Sequence, residues 1–514
     1  MWTLILVLAC NGGTSADSAA GDTGSIPETA DTGSTTDTQD TQDTQDTQDT
    51  QDTQDTQVTQ DTQDTQDTQD TGEEVAAVSS EPVWLTPGSD ASGYYFALDS
   101  TDLDGDGYDE IIVGDRYSTV SSSGGEGRVY VLTGPMITDL TTDDAVAVIE
   151  AGTRDDDFGF AISGGEDYDG DGYADLLVGA PSSSGTGSVT GAAFIYTGPF
   201  SGTIKAPSAH VRLFGAEEGG KSGYAVSLVA DATGDGLVDV VVATPYSNAA
   251  GSRYGEVSLL AGPRSGDVSV ADDAALRVQG EYSFSYWSQQ GLVGYDVDGG
   301  GDMNGDGLTD LLIGSMTVES HELLGGEAYV VYGGQTGTVP VSDSDVQYWG
   351  SERQYLGSSV AFLGDVDGDG HDDVAVGSGD SYYGLGEGAW VFLGGSSGTV
   401  RTADAQVWLV ADLDHDIFSA VVGKVGDIDG DGLDDIGVGI DGVEDRGEGR
   451  VYLLPGTLSG TESLAISDQI LVGRTPENRF GQSFAAVDDA DGDGLHELLV
   501  GARYEALLSW SATR

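Results

Sequence analysis

The 514-residue sequence is short of several residue types that common protein classes need. It contains one cysteine, Cys10, so no intramolecular disulfide and no thiolate metal site can form. Only 18 residues are Lys or Arg, against 89 Asp or Glu, and the formal net charge is −71. A surface this acidic repels nucleic acid and anionic lipid headgroups, and we expect neither as a partner. No run of about 18 apolar residues occurs, so we predict no membrane-spanning helix.

Recognisable catalytic motifs are missing as well. The five histidines are scattered, and two of them, His371 and His496, stand inside acidic loops described below. No Gly-x-Ser-x-Gly turn, phosphate-binding loop or zinc-ligand spacing is present. Carboxylate pairs, which could serve general acid–base chemistry, are abundant, but the metal ligation predicted below accounts for most of these pairs. The sequence therefore predicts a chain that is not an enzyme.

The N-terminal part differs in composition from the rest. Residues 1–10 form a short apolar run that ends in Ala-Cys and is similar to a bacterial lipobox, which implies lipidation at Cys10 and an extracytoplasmic, outer-membrane or cell-surface location. Residues 11–82 are mostly Asp, Thr, Gln, Gly and Ser, with a nearly continuous Asp-Thr-Gln repeat from Asp37 to Thr71. Because such a segment has almost nothing to bury, we predict a disordered acidic stalk.

One acidic segment recurs seven times in the remaining chain. It reads DLDGDGYDEIIVG from Asp102, DYDGDGYADLLVG from Asp167, DATGDGLVDVVVA from Asp231, DMNGDGLTDLLIG from Asp302, DVDGDGHDDVAVG from Asp365, DIDGDGLDDIGVG from Asp427 and DADGDGLHELLVG from Asp489. Successive starts lie 65, 64, 71, 63, 62 and 62 residues apart. A period of about 60 residues, built from short apolar runs and glycine-rich turns, is typical of a propeller blade.

We therefore predict an all-β fold for residues 83–514, a seven-bladed β-propeller of four-stranded antiparallel blades. The seventh repeat ends after a third strand near residues 507–510, whereas Val83–Pro87 resembles an isolated fourth strand. We expect this N-terminal strand to pair into the last blade and close the ring, which would leave no open sheet edge.

The repeated segment has the composition of a loop that binds a hard cation. Oxygen-bearing side chains at positions 1, 3, 5 and 9, with glycine at position 6, favour calcium over magnesium because the ligands are numerous and mostly carboxylates. We predict up to seven structural calcium ions. The predicted ligands are Asp102, Asp104, Asp106 and Glu110; Asp167, Asp169, Asp171 and Asp175; Asp231, Thr233, Asp235 and Asp239; Asp302, Asn304, Asp306 and Asp310; Asp365, Asp367, Asp369 and Asp373; Asp427, Asp429, Asp431 and Asp435; Asp489, Asp491, Asp493 and Glu497.

An EF-hand is the obvious alternative for such loops. That motif needs a bidentate Glu at position 12 and a helix on each side. Position 12 is Val or Ile in all seven segments and lies in a β-branched run, as at Val113 and Ile313. The loops therefore join two strands, and the EF-hand alternative fails.

Loop, strand pattern, period and repeat number together resemble the FG-GAP repeats of the integrin α-subunit N-terminal propeller. The resemblance implies that the metal loops lie between the first and second strands of each blade and are structural. It also implies that ligands bind at the opposite face, through the fourth-to-first and second-to-third strand connections. FG-GAP-like propellers also accompany lyases and phospholipases, which leaves a polysaccharide lyase as a less favoured alternative.

The candidate ligand surface is the long connection at 280–290, whose aromatic residues suit a protein anchor or stacking on sugar rings. These residues are Tyr282, Phe284, Tyr286 and Trp287. Packing of the same side chains under the loop is the structural alternative. The sequence predicts a monomeric adhesion module for an unidentified protein partner, with glycan binding as the alternative and with membrane attachment only through Cys10.

Overall fold

The computed structural model describes residues 83–508, apart from short gaps, in one compact unit that spans Glu74–Arg514. Outside the described residues lie 1–82, 90, 93–94, 120–125, 135, 137, 153–155, 185–188, 252, 282–290, 318–321, 323, 380–387, 411–419, 428–432, 441–448, 465–466, 468, 475–478, 489–495, 504–505 and 509–514. The predicted stalk, Cys10 and the candidate ligand surface at 282–287 therefore fall outside the described part.

The described chain is built from β-strands, with three-residue 3₁₀ segments at 142–144, 206–208, 341–343 and 402–404. The strands are β1 Val83–Thr86, β2 Tyr95–Thr101, β3 Glu110–Asp115, β4 Arg128–Leu132, β5 Leu140–Thr141, β6 Ala147–Glu150, β7 Ile162–Gly164, β8 Leu176–Ala180, β9 Ala192–Tyr196, β10 Gly202–Lys205, β11 Val211–Phe214, β12 Val226–Val229, β13 Asp239–Thr244, β14 Glu256–Leu260, β15 Gly266–Ser269, β16 Leu276–Gln279, β17 Val297–Gly301, β18 Asp310–Ser315, β19 Glu327–Val331, β20 Gly337–Pro340, β21 Val346–Trp349, β22 Leu356–Gly364, β23 Asp373–Ser378, β24 Gly388–Phe392, β25 Gly398–Arg401, β26 Val407–Val410, β27 Ala420–Lys424, β28 Ile436–Ile440, β29 Arg450–Leu454, β30 Gly460–Ser463, β31 Gln469–Val472, β32 Ser483–Val487, β33 Glu497–Gly501 and β34 Ala506–Leu508.

These strands form an all-β propeller whose blades are antiparallel sheets. From the inner to the outer strand the sheets run β2-β3-β4-β6-β10, β7-β8-β9-β11-β15, β12-β13-β14-β16-β20, β17-β18-β19-β21-β25, β22-β23-β24-β26-β30, β27-β28-β29-β31 and β32-β33-β34-β1-β5. The first strand of each sheet packs against the first strands of both neighbouring sheets, and β2 packs against β32. The inner strands thus form a closed circle.

The prediction of four strands per blade is wrong for most of the sheets. Six sheets have a fifth strand, which pairs in parallel with the outer side of the fourth. This strand is contributed by the third-to-fourth connection of the following repeat. Its residues are largely exposed, as in β10, so it has no apolar run by which sequence could reveal it.

Closure by the N-terminal strand is present in the structure. β1 pairs antiparallel with β34, with Val83 opposite Leu508 and Leu85 opposite Ala506. Val83, Trp84 and Leu85 are all buried. Strands from the two ends of the domain therefore complete one sheet, and this sheet ties the last repeat to the first.

Seven clusters of buried side chains are present among the described residues, and each lies between two neighbouring sheets. In one of them, Ile112 and Val129 meet Leu176 and Phe194 of the next sheet. Because the central strands are covered on both faces, they read as continuous apolar runs rather than as alternating patterns. All six residues of β13 are buried, for example.

Among the described residues, the inner strands of neighbouring sheets are not joined by backbone-to-backbone hydrogen bonds. Side-chain oxygens of one inner strand instead accept backbone N–H groups of the next. The donors and acceptors are Gly164 N to Asp99 Oδ2 at 2.7 Å, Leu228 N to Ser163 Oγ at 2.9 Å, Val360 N to Asp296 Oδ2 at 2.9 Å, Phe362 N to Asp298 Oδ2 at 2.8 Å and Val422 N to Ser359 Oγ at 3.3 Å. Each bond satisfies an inward-facing N–H that would otherwise be unpaired in the ring interior.

Burial raises the pKa of the carboxyl groups in these contacts, to about 7 for Asp99 and Asp296 and about 6 for Asp298. A raised pKa in the folded state means that the folded chain binds more protons than the unfolded chain. The stability from these groups is therefore fully present below the ordinary carboxyl pKa of about 4 and is lost as pH rises through 6–7.

We expect Asp296→Asn to flatten this pH dependence, because Asn keeps an oxygen acceptor for Val360 N–H and never ionises. The melting temperature of the variant should match the wild type near pH 4 and exceed it by about 1–3 °C at pH 8, measured by calorimetry in excess calcium. The exposed Asp343→Asn serves as the control and should show no such crossover. Parallel curves for wild type and Asp296→Asn would contradict the assignment.

Candidate metal loops and the opposite end of the sheets

The acidic loops join the first and second strands of their sheets, as between β7 and β8 or between β12 and β13. We call the end of the sheets that carries them the acidic end. Because the strands are antiparallel, the second-to-third and fourth-to-first connections lie at the other end, called here the opposite end. This arrangement agrees with the placement that the integrin resemblance implies.

In the five loops that the structure describes throughout, the first carboxylate accepts N–H groups from the residues that follow it. Asp167 accepts N–H groups from Gly170 at 2.8 Å, Asp171 at 3.0 Å and Gly172 at 2.9 Å. Asp365 accepts the three equivalent bonds at 2.7–2.9 Å. Gly170 and Gly172 have φ of +79° and +95°, a backbone region that glycine enters without strain. This tight turn brings the later ligand positions back toward the first.

The acid at position 9 connects the loop to the rest of its sheet. Asp175 Oδ2 accepts N–H groups from Tyr168 at 2.8 Å and Asp169 at 3.2 Å, while Oδ1 accepts Gly198 N–H at 2.9 Å, just beyond the third strand. Asp239, Asp310 and Asp373 make the same two-sided contact. The sequence predicted these residues only as metal ligands. It did not reveal that they also hold the loop against the turn after the third strand.

Among the loops that the structure describes in full, three bring carboxylates close enough together to hold a cation. Oxygens from positions 1, 3 and 9 lie within 4.8 Å of one another in the groups Asp102, Asp104 and Glu110; Asp167, Asp169 and Asp175; and Asp365, Asp367 and Asp373. In the second group, Asp169 Oδ1 is enclosed and has no hydrogen-bond partner among the described residues. An enclosed carboxylate oxygen without a donor is costly unless a cation neutralises it.

The predicted ligands at position 5 do not join these groups. Asp106, Asp171 and Asp369 each accept the N–H of the residue two positions later, at 3.0 Å. Asp235 and Asp306 do the same in their loops. A short acidic side chain readily makes this local turn, so the arrangement gives position 5 a backbone role in addition to any ligand role.

The remaining loops differ in what the structure shows of them. Thr233 and Asn304 replace the position-3 carboxylate, and in the described part of the chain their loops form no group of three acids. The Asn304 amide is engaged with Asp306, at 3.0 Å from Nδ2 to Oδ2. In the last two loops, Asp427, Asp435 and Glu497 are described, whereas Asp429, Asp431, Asp489, Asp491 and Asp493 lie outside the described residues.

Burial of the position-9 acids disfavours their charged form. It raises the pKa of Glu110 and Asp310 to about 7 and of Asp175 and Asp373 to about 6, and it raises the pKa of Asp239 in the same direction. A bound divalent cation reverses this effect, because it stabilises the ionised carboxylate. All-oxygen donor sets of this kind fit calcium, which would neutralise the loops and hold their turns closed.

Aromatic and basic side chains cluster at the opposite end. Phe160, Tyr224 and Tyr295 each follow a glycine in the fourth-to-first connection of three consecutive repeats, and we call this glycine the entry glycine. The ring centroids of Phe160 and Tyr224 lie 4.7 Å apart, and those of Tyr224 and Tyr295 lie 5.5 Å apart. Tyr246 extends the group, at 6.1 Å from Tyr224. We call these residues, with the cations over them, the cation–aromatic cluster.

Three cations stand over these rings. The Arg116 guanidinium lies 4.7 Å from the Phe160 centroid, and Lys221 and Arg253 lie 5.7 and 5.8 Å from the Tyr246 centroid. Burial raises the pKa of Tyr295 to about 12 and that of Tyr224 well above its ordinary value, so both hydroxyls stay neutral. Sequence reasoning missed this cluster, although an aromatic residue after the entry glycine in three consecutive repeats was a usable signal.

Comparison with known proteins supports the assignment of the repeats. The FG-GAP repeat family matches residues 94–132, 158–196 and 356–400. Phosphatidylinositol-glycan-specific phospholipase D of Rattus norvegicus is 32% identical over 233 residues, which is 43% of this chain and 26% of that protein. Integrin alpha-5 of Xenopus laevis is 29% identical over 168 residues, which is 32% of this chain and 15% of that protein. The chain carries FG-GAP repeats, and its propeller is integrin-like.

Two further comparisons are more limited. Integrin alpha-X of Homo sapiens is 33% identical over 159 residues, 30% of this chain and 13% of that protein. A solved structure of BBS1N in complex with ARL6DN covers 84% of this chain and 99% of its own, at 14% identity and a TM-score of 0.41, a likeness too weak to support any inference. The chain spans about a quarter or less of the length of these curated relatives.

The relatives correct one prediction from the sequence. The expectation that the chain is not an enzyme is contradicted, because the similar proteins include phospholipases D of rat, cattle, mouse and human as well as integrins. Missing motifs could not decide the question, since a repeat domain can be shared by catalytic and non-catalytic proteins.

Among the described residues, no helix is long and apolar enough to cross a membrane.

We expect calcium to raise the melting temperature of the propeller strongly, because a cation that binds only the folded loops stabilises them by mass action. Asp169→Asn should reduce the calcium-dependent rise while leaving the melting temperature in chelator unchanged or slightly higher, since one repulsive charge is gone. Differential scanning fluorimetry with calcium and with chelator measures both quantities. Equal melting temperatures for the wild type in the two conditions would remove the metal assignment.

Proposed function

We propose that this chain is a calcium-stabilised binding module for protein partners, built on a ring of seven blades in which each sheet is one blade. The proposal places calcium in the acidic loops and partner binding at the opposite end of the sheets. The similarity to integrin alpha subunits supports a role in protein binding or adhesion. The observation that carries the proposal is the cation–aromatic cluster.

The cations of the cluster differ from most other Lys and Arg residues of the described chain in what lies beside them. Elsewhere in the described chain, cations mostly sit beside carboxylates, as in Arg277–Glu256 at 2.6 Å and Lys424–Asp434 at 2.7 Å. Lys221 and Arg253 approach the same tyrosine ring, and neither has a carboxylate within 4.0 Å in the described residues. Two neighbouring like charges without a counterion favour the arrival of an anionic group.

The ligand chemistry follows from this arrangement. Lys221 and Arg253 already lie over the Tyr246 ring, so this ring is not open for stacking against a sugar. The groups that the cluster presents to a ligand are instead the ammonium of Lys221 and the guanidinium of Arg253. Carboxylates on a protein surface match these groups, and the half-buried aromatic rings beside them can anchor apolar neighbours. We therefore favour an acidic protein surface over a neutral glycan as the partner.

Attachment to a cell envelope remains part of the proposal. Cys10 and the Asp-Thr-Gln stalk would tether the propeller outside the cytoplasm, where calcium is plentiful enough to fill weak sites. The stalk is long and acidic, which would hold the propeller away from an anionic surface.

We expect a fluorescent Asp- and Glu-rich peptide to bind the full chain in calcium, and its Asn- and Gln-substituted counterpart not to bind. Lys221→Glu combined with Arg253→Glu should weaken acidic-peptide binding about tenfold or more, measured by fluorescence anisotropy. Arg212→Glu, which removes an exposed pair with Asp267, is the matched charge-reversal control and should bind normally. Equal binding of the two peptides would reject the proposed chemistry, and a hit for neutral sugars on a glycan array would favour the lectin alternative.

A further inference from the structure

One blade differs from the others at its outer edge. In six sheets a parallel fifth strand covers the outer side of the fourth strand, but among the described strands β31 has no such neighbour. Ile470 and Val472 of β31 are 40% and 43% exposed, whereas the corresponding Trp408 and Val410 under a fifth strand are half-buried. An apolar edge strand of this kind presents unpaired N–H and C=O groups with which another strand can pair.

The covering strands obey a fixed register in the sequence. Four of the six begin nine residues before the fourth strand of their own repeat, as with Gly337 and Val346 or Gly398 and Val407, whereas the short β5 begins seven residues before β6. Five of them pair first residue to first residue with the fourth strand of the preceding repeat, as Gly398 does with Val346, and β5 pairs from Leu140 with Leu85, the third residue of β1. The spacing is nine residues for Gly202 and Gly460 and ten for Gly266.

The repeat that should cover β31 is the one divided between the chain ends. Its third strand is β34, at the C-terminal end, and its fourth strand is β1, which begins at Val83. The covering segment must therefore precede Val83, and a spacing of nine residues places its first residue at Glu74.

A second position in the repeats supports this register. The residue five positions before the fourth strand is buried wherever the structure describes it, except in the repeat with ten-residue spacing, where Val270 occupies the shifted place. These residues are Thr142, Ala206, Val341, Thr402 and Leu464. The same count back from Val83 reaches Val78, the last residue of the apolar run Val75–Val78. The sequence from Val78 to Val83, VSSEPV, also parallels VSDSDV from Val341 to Val346.

We propose that Glu74–Ala77 forms the missing fifth strand and pairs in parallel with β31, so that Val75 lies beside Ile470 and Ala77 beside Val472, and that Val78 is buried next to this edge. The folded domain then begins nine residues earlier than the predicted boundary at Val83. The acidic stalk leaves the propeller from the outer edge of one particular blade, and that edge is closed to strand addition by other chains.

Thiol crosslinking in the full-length chain tests the register. In a Cys10→Ser background, Val75→Cys with Ile470→Cys should be joined by a short thiol-specific crosslinker within one molecule, since neighbouring strands lie about 4.8 Å apart. Ala76→Cys with Ile470→Cys is the control, because a shift of one residue places the side chain on the other face of the sheet. The first pair should crosslink several-fold faster than the control.

Two results would overturn the proposal. Equal crosslinking of the two pairs would show that the segment has no fixed register on β31. Crosslinked dimers in place of the intramolecular product would show that a second copy of the chain occupies the edge.

Substitution at Val78 gives an independent readout that requires no crosslinker. Val78→Asp places a charge at a position that the repeat register makes buried, and it should lower the melting temperature by several degrees. Ser79→Asp is the matched control, because its counterpart Ser342 is exposed. Equal melting temperatures for the two variants would contradict burial of Val78.

Discussion

The structure depends on carboxylates that backbone N–H groups hold at the start of the second strand, a contact seen in four of the described repeats at Asp175, Asp239, Asp310 and Asp373. Asp175 illustrates the constraint: one oxygen binds the acidic loop and the other binds the turn after the third strand. A single side chain thereby fixes the loop, the second strand and the third strand relative to one another. The same acid belongs to the group that can hold a cation, so metal binding and blade geometry are coupled through one residue.

This coupling would help so acidic a propeller to fold, since residues 83–514 hold most of the 89 Asp and Glu of the chain and all of its 18 Lys and Arg. Like charges within a few ångströms of each other oppose folding, and burial adds a further cost for each ionised carboxylate. Backbone N–H groups offset part of the cost, and a divalent cation would offset much of the rest. The inner strands use the same means on a smaller scale, since Asp99, Asp296 and Asp298 accept N–H groups from neighbouring sheets.

Sequence revealed those features that have a strong periodic signal. The loops, the third strands such as β9, the fourth strands such as β11 and closure through Val83 could all be predicted, because each has a repeated apolar run or a fixed ligand spacing. The fifth strands could not, since they are short and largely exposed and each contributes at most one apolar residue to the core, such as Val268 of β15. The inter-sheet contact of Asp296 was equally hidden, because its partner Val360 lies 64 residues away and contributes only a backbone group.

The two ends of the sheets carry charges of opposite sign. At the acidic end, carboxylates converge and require a cation or a backbone donor. At the opposite end, Arg116, Lys221 and Arg253 stand over aromatic rings in a chain that has only 18 basic residues. In an antiparallel ring these ends are set by strand direction, so the loops can saturate with calcium while the other connections vary freely. If partners bind at the opposite end as proposed, variation there would change what the propeller recognises without disturbing the bonds of Asp175 and its counterparts. Such a separation would let one scaffold serve proteins with different activities.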